Sequence, residues 1–315
     1  MSERDMQALL ALIEKSLGRG YLEFADWLRD QTDLGEIEAA IRTGDWTAVS
    51  TKLEAAALRM AAEIHGSYIQ AGQAAALWLD KQPQTAGSLV RFDVANDRAV
   101  ARDRANQLEL VQGYTAEQRE TTRQVLAEGR AQGANPRDMA RDIREGLSLT
   151  PAQAQHVRSY RRALESGDWS KAMGYELRDG RADRTMARLE RDGGALQPAQ
   201  VERLVENYRS SYVGYRAEVI ARTESLRSVH QAGEESISQA IERGDLEADQ
   251  LVREWHAARD GRTRDSHRSM DGQKRKHGEP FVTGTGATLM YPGDPSAPAG
   301  EVIQCRCAIS TSLLG

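Results

Sequence analysis

Residues 198–243, PAQVERLVENYRSSYVGYRAEVIARTESLRSVHQAGEESISQAIER, run for 46 positions with a proline only at the first. Apolar side chains return at Val201, Leu204, Val205, Tyr208, Tyr212, Val219, Ile220, Leu226, Ile237 and Ile241. That is the three-and-four spacing of one helical face. A single helix over this span is about 69 Å long at 1.5 Å per residue, with Gly214 and Gly233 as the expected bends. A helix of that length outruns one small core, so it is expected to join separate bodies or to offer an assembly surface.

Upstream the grammar stays helical, and its punctuation is explicit. The first N–H groups of a helix lack partners, and a side-chain oxygen placed just before them supplies one. Thr115 with Gln118, Asn135 with Pro136, and Thr150 with Pro151 and Gln153 all read as such starts. Gly129 or Gly133, Gly146 and Gly167 read as the matching stops, which makes 115–167 three consecutive helices. A short phrase recurs as IRTGDWTAV (41–49), LESGDWSKA (164–172) and IERGDLEAD (241–249). In it glycine ends one helix, aspartate caps the next element, and Trp or Leu packs on the junction. The irregular spacing of the three copies is unlike a solenoid.

Downstream of Gly244 the pattern changes to short extended runs. Leu251–Trp255 reads as a strand, Thr263–Met270 as a short helix capped by Thr263, Phe281–Met290 as a Gly-rich hairpin, and Val302–Ser310 as a last strand after the loop YPGDPSAPAGE. The fold class is therefore mainly α: a multi-helix N-terminal body with a long helix leading to a small α+β C-terminal domain. The expected divisions are an N-terminal helical region at 1–90, a helical body at 91–244 that includes the long helix 198–243, and the α+β domain at 245–315.

Composition narrows the class further. Of 315 residues, 40% are hydrophobic and 28% charged, an ordinary balance for a chain with a core. No apolar run approaches the ~18 residues of a membrane span, and the opening MSERDMQALL lacks the basic-then-apolar order of a secretory signal. The expected location is the bacterial cytosol or a particle assembled there, with no membrane partner. The net charge of −5 is unevenly laid out: 1–80 carries a balance of −6, and 251–280 a balance of +3.

Several ordered segments resemble one family. ARTESLRSVHQAG (221–233), REWHAARDGRTRDSHRSMDGQ (253–273), EPF (279–281), YPGDPSAP (291–298) and EVIQCRC (301–307) stand in the order of the C-terminal domain of Mu F-like phage head morphogenesis proteins. RFDVANDRAV (91–100) and the run GANPRDMARDIREGLSLTPAQAQHVRSYRRALE resemble the helical body of that family, so the resemblance spans roughly 90–310. The first ninety residues are assigned by context. Where the family usually has Asn before Cys-x-Cys, this chain has Gln304. The resemblance implies a minor head protein of a tailed phage, present in few copies in the virion. Its implied partners are the portal protein and the inner capsid or scaffold, with packaged double-stranded DNA contacted without sequence specificity.

The residues themselves leave alternatives open. Two cysteines exclude a disulfide framework, and their placement as Cys305-Arg306-Cys307 is the unusual feature. In a strand, positions i and i+2 share a face, so the two thiols would stand side by side. A bridge across Cα atoms about 6.6 Å apart is strained. Zinc is the functional reading, with His267, Cys305 and Cys307 as ligands and Asp260 or His256 as a fourth; the other is a pair of buried apolar thiols. His256, Asp260 and His267 also suit acid–base or metal chemistry, which raises the alternative of a metal-dependent nuclease or hydrolase. No nucleophile elbow, phosphate loop or HExxH accompanies them, so no catalytic residue is expected and the chain reads as a non-enzyme. Asp260–Thr263 reads more simply as a turn with Arg262 or Arg264 in an ion pair, and Glu224 as a helix-surface or inter-domain pairing residue. Arg259, Arg262, Arg264, Arg268, Lys274, Arg275 and Lys276 form the dense basic stretch. It can meet DNA phosphates, or it can pair internally with Asp260, Asp265 and Asp271.

Overall fold

The computed structural model describes residues 1–314. Its helical part comprises α1 (Glu3–Gln31), α2 (Leu34–Thr43), α3 (Thr47–Asp80), α4 (Asp97–Gln132), α5 (Pro136–Gly146), α6 (Pro151–Ser166), α7 (Trp169–Met173), α8 (Asp183–Asp192) and α9 (Pro198–Glu242). The α+β part follows as β1 (Leu251–His256), α10 (Asp265–Arg268), β2 (Lys274–Lys276), β3 (Phe281–Val282), β4 (Thr288–Leu289), α11 (Ala299–Val302) and β5 (Ala308–Leu313). The fold is thus mainly α with a small α+β C-terminal part. Helix α9 runs unbroken through Gly214 and Gly233. Backbone proximity groups the chain into two compact units, one of 1–21, 60–109 and 218–315, the other of 22–59 and 110–217. Helices α1, α3, α4 and α9 each contribute residues to both units.

In the second unit the caps follow the sequence at two of three places. Asn135 accepts from Asp138 N at 2.9 Å, and Thr150 and Gln153 form a reciprocal capping box at the start of α6. Thr115 does not start a helix: α4 passes through it, and its hydroxyl donates to Val111 O at 2.8 Å. The hydrophobic face continues across that position, and burial outweighs the modest gain of a local cap. Gln118 is buried and serves the α5–α6 turn instead, donating to Leu149 O at 3.0 Å and accepting from Ser148 N at 3.2 Å. Arg209 satisfies the end of α5, donating to Glu145 O at 3.0 Å and Leu147 O at 3.1 Å. Tyr160, Tyr175 and Tyr208 pack with ring centroids 4.5–5.6 Å apart. Beside them the buried Arg161 is shared between Glu145 and Glu202.

The recurrent GD phrase is real as local grammar. Gly44, Gly167 and Gly244 all have φ near +75°, the left-handed region that glycine enters without cost. Asp45 accepts from Thr47 N and Asp168 from Lys171 N, but Asp245 caps nothing and pairs with Arg243. Leu246 after it is buried, in a cluster with Ala76, Leu79, Val90, Ile237, Ala240 and Leu251 in the first unit.

In that unit β1 is the centre of an antiparallel sheet ordered β2-β1-β5. Its inward positions are Leu251, Arg253 and Trp255, all fully buried. A buried guanidinium depends on the hydrogen bonds that replace its water; here both terminal nitrogens are met, while Nε has no partner among the described residues. Arg253 donates to Glu234 Oε1 at 2.9 Å, Met290 O at 2.9 Å, Lys276 O at 3.2 Å and Glu279 O at 2.5 Å, tying the loops to α9. The hairpin is present as β3–β4. In the YPGDPSAP loop, Asp294 is buried and accepts from Met290 N, Ser296 N and Ser296 Oγ at 2.7–2.9 Å. Gly293, at φ +85°, lies so close to α9 that a Cβ would stand 2.9 Å from Arg227 N, which excludes any side chain there.

Two expectations for this part are corrected, and one strand is additional to them. The last strand begins at Ala308, not at 302, because α11 and a left-handed Gln304 (φ +56°) reverse the chain first. Strand β2 was not anticipated, since Lys274-Arg275-Lys276 has no apolar alternation and is held as a charged edge strand by pairing alone. Thr263 does not cap α10, whose first turn has no side-chain cap; its hydroxyl bonds Asp260, closing the turn that precedes it.

Candidate metal centre

Cys305 and Cys307 sit in the segment entering β5, not in a strand, so the same-face argument does not bring their thiols together. The turn does. Val302 O accepts from Cys305 N at 3.1 Å, and Gln304 N donates to Thr223 Oγ1 on α9 at 3.2 Å, which pins the turn to the long helix. Gln304 takes the left-handed conformation in which Asn is the better-suited side chain. The local turn therefore forms without the family's usual Asn.

Short helix α10 presents His267 to this turn. Its Nδ1 lies 3.5 Å from Cys305 Sγ and 3.4 Å from Cys307 Sγ. The three donor atoms are all within 4.8 Å of one another, and all three residues are buried. Trp255 packs edge-on against the imidazole at 5.7 Å. On the far side of the ring, Glu301 Oε2 is 3.0 Å from Nε2. Glu301 is itself held by Ser266 Oγ at 2.8 Å and Thr285 Oγ1 at 3.2 Å. Burial pushes its carboxyl up, but those two hydrogen bonds and His267 outweigh it and leave the group below the usual carboxylate range. The two thiols are driven apart. The hydrogen bond between them lowers Cys307, aided by His267, and raises Cys305, aided by burial.

The remaining sequence candidates lie elsewhere. His256 Nε2 is 2.8 Å from Ser310 Oγ, and its Nδ1 is 3.4 Å from Glu3 Oε2. Asp260 accepts from Arg262 N at 2.9 Å and Thr263 Oγ1 at 3.1 Å, and pairs with Arg306 at 2.5 Å, not with Arg262 or Arg264. Neither joins the His–Cys group. Glu224 is not on the surface; its side chain is 12% exposed and lies 3.6 Å from Arg227. Much of the basic stretch is engaged locally. Arg259 pairs with Asp271, Arg268 with Asp265, and Lys274 with Glu254, while Arg264 donates to Ile303 O and Arg275 to Pro280 O. Arg262 and Lys276 are exposed, with no side-chain partner among the described residues.

The residue that the sequence did not single out is Glu301. Its separation of 34 positions from His267 gives no local spacing to read. Cys305 and Asp260 also line a cavity of about 410 Å³, walled by Glu3, Gln7, Glu14 and Arg222.

Residues 158–310, just under half of the chain, match the family described as Phage Mu protein F like protein, and over that stretch the chain is similar to Mu F-like phage proteins. The match begins downstream of residue 90, the start of the segments that resemble the family. Nothing among the curated proteins or the solved structures matches the chain.

Proposed function

We propose that this Mu F-like phage protein is a structural, non-catalytic minor head protein. It acts in head morphogenesis at the portal vertex, in contact with the portal protein and the inner capsid or scaffold. It stays in the virion after assembly in the host cytoplasm. The observation that carries this reading is the family match over 158–310. His256 and Asp260 hold contacts of the fold, to Ser310 and to Arg306, which fits the non-catalytic part of this reading. A metal-dependent nuclease or hydrolase stays as the second reading on one observation, the cavity that reaches Cys305. Double-stranded DNA, met through phosphates alone, completes the proposed set of partners.

The chain is expected to copurify with portal oligomers from cells assembling heads, and to leave DNA uncut in the presence of zinc or magnesium. Its absence from both heads and portal complexes would overturn the proposal. Metal-dependent cleavage that disappears in a folded His267→Ala variant would put the second reading in its place.

A further inference from the structure

We propose that His267, Cys305 and Cys307 bind one zinc-like divalent ion, that Glu301 orients the imidazole for it, and that solvent from the adjoining cavity supplies the fourth ligand. The spacing is the first argument. With Zn–S near 2.3 Å and Zn–N near 2.0–2.1 Å, a tetrahedral ion sets a sulfur and a nitrogen about 3.6 Å apart. The two observed separations are 3.5 and 3.4 Å, so the donors need only small shifts to close on an ion.

The second argument is the count of lone pairs. A neutral imidazole nitrogen has one, and two sulfurs converge on Nδ1. One S–H can use that lone pair; an ion placed between the three atoms uses all of them. Glu301 stands behind the ring. Its Oε2 is 3.0 Å from Nε2; the contact is out of line for a hydrogen bond, and a small turn of the ring as Nδ1 takes an ion would align it and hold the proton on Nε2. A carboxylate behind a ligating histidine is the usual way such a ring is fixed and made more basic. Glu301 cannot swing away easily, because Ser266 and Thr285 hold it.

The ligand chemistry narrows the ion. Two thiolates and an imidazole select zinc or a similar soft divalent metal over magnesium or calcium, which take oxygen donors. Among the described residues no further His, Cys, Asp or Glu joins the group. The fourth position falls to water, for which the cavity lined by Cys305 is the source.

The test uses the full chain, purified from zinc-supplemented cells without chelator. Elemental analysis is expected to find close to one zinc per chain. Titrating cobalt(II) into the metal-free chain is expected to give thiolate charge-transfer and tetrahedral d–d bands. Both signals should be lost in folded Cys305→Ser, Cys307→Ser and His267→Ala variants. Glu301→Gln should retain the bands with affinity weakened about 10–100-fold. A folded wild-type chain with under roughly a tenth of an equivalent of zinc and no cobalt charge transfer would overturn the site. Full binding kept by either serine variant would overturn the ligand set, and unchanged affinity in Glu301→Gln would overturn the orienting role. If the ligand variants do not fold, the wild-type metal count and cobalt spectrum decide alone.

Discussion

Glu224 shows how a single residue in a recognisable motif takes its character from what surrounds it. On α9 it is mostly buried, and one carboxylate oxygen has no hydrogen-bond partner among the described residues. Burial therefore raises its carboxyl above the ordinary 4.5, and the nearby Arg227 only partly offsets this. A raised folded-state value means that the native chain holds the proton more tightly than the unfolded one. The contribution to stability is then fully present below pH 4.5 and is lost as pH rises through the raised value. Glu224→Gln keeps the shape without the charge, while Arg227 retains Glu109 at 3.1 Å. Thermal unfolding should show the variant more stable than the parent by about 1 kcal/mol at pH 7, with the difference closing toward pH 4. A less stable variant at pH 7 would mean that the Arg227 pair outweighs desolvation. The sequence left Glu224 as a helix-surface or inter-domain pairing residue, because helical periodicity alone does not say how much packs against each face. His267, Cys305 and Cys307 were legible as ligand types. Glu301 was not, since its function depends on a contact made only when the chain folds back.

At the scale of elements, helix ends were the most legible feature, because a cap acts over three or four residues and needs nothing distant. Asn135→Ala and Thr150→Ala should each cost about 1 kcal/mol. Thr115→Ala should be neutral or stabilise by up to about 0.5 kcal/mol, because in mid-helix alanine has the better propensity. Chemical denaturation of the three variants checks this, and a loss at Thr115 equal to the other two would mean that α4 is interrupted there. Elements whose form depends on partners were less legible. Strand β2 exists because Lys274–Lys276 pairs with β1, and the start of β5 is delayed because Gln304 is pinned by Thr223. Neither contact leaves a period in the sequence.

For the whole molecule, charge is the quantity that bears on partners. The net charge of −5 opposes DNA, and in the dense basic stretch Arg259, Arg268 and Lys274 pair with carboxylates of their own unit while Arg264 and Arg275 are held by backbone carbonyls. If only Arg262 and Lys276 meet phosphates, the salt dependence of DNA binding should be shallow, with a log–log slope no steeper than about −1.8. Filter binding across salt concentrations measures it. A slope near −5 would show that the ion pairs open to DNA, and undetectable binding at low salt would remove DNA from the partners. The sequence by itself determined the mainly α class, the long helix, most helix ends and the presence of a small α+β C-terminal part. These follow from periodicity and from capping chemistry that acts over a few residues. Only the tertiary structure decided that the chain divides into two units discontinuous in sequence, that Arg253 is buried and bonded through both terminal nitrogens, and that His267 meets both thiols with Glu301 behind it. Those outcomes rest on contacts between residues tens to hundreds of positions apart, where burial and the need to satisfy every polar group choose among arrangements that local chemistry leaves equal.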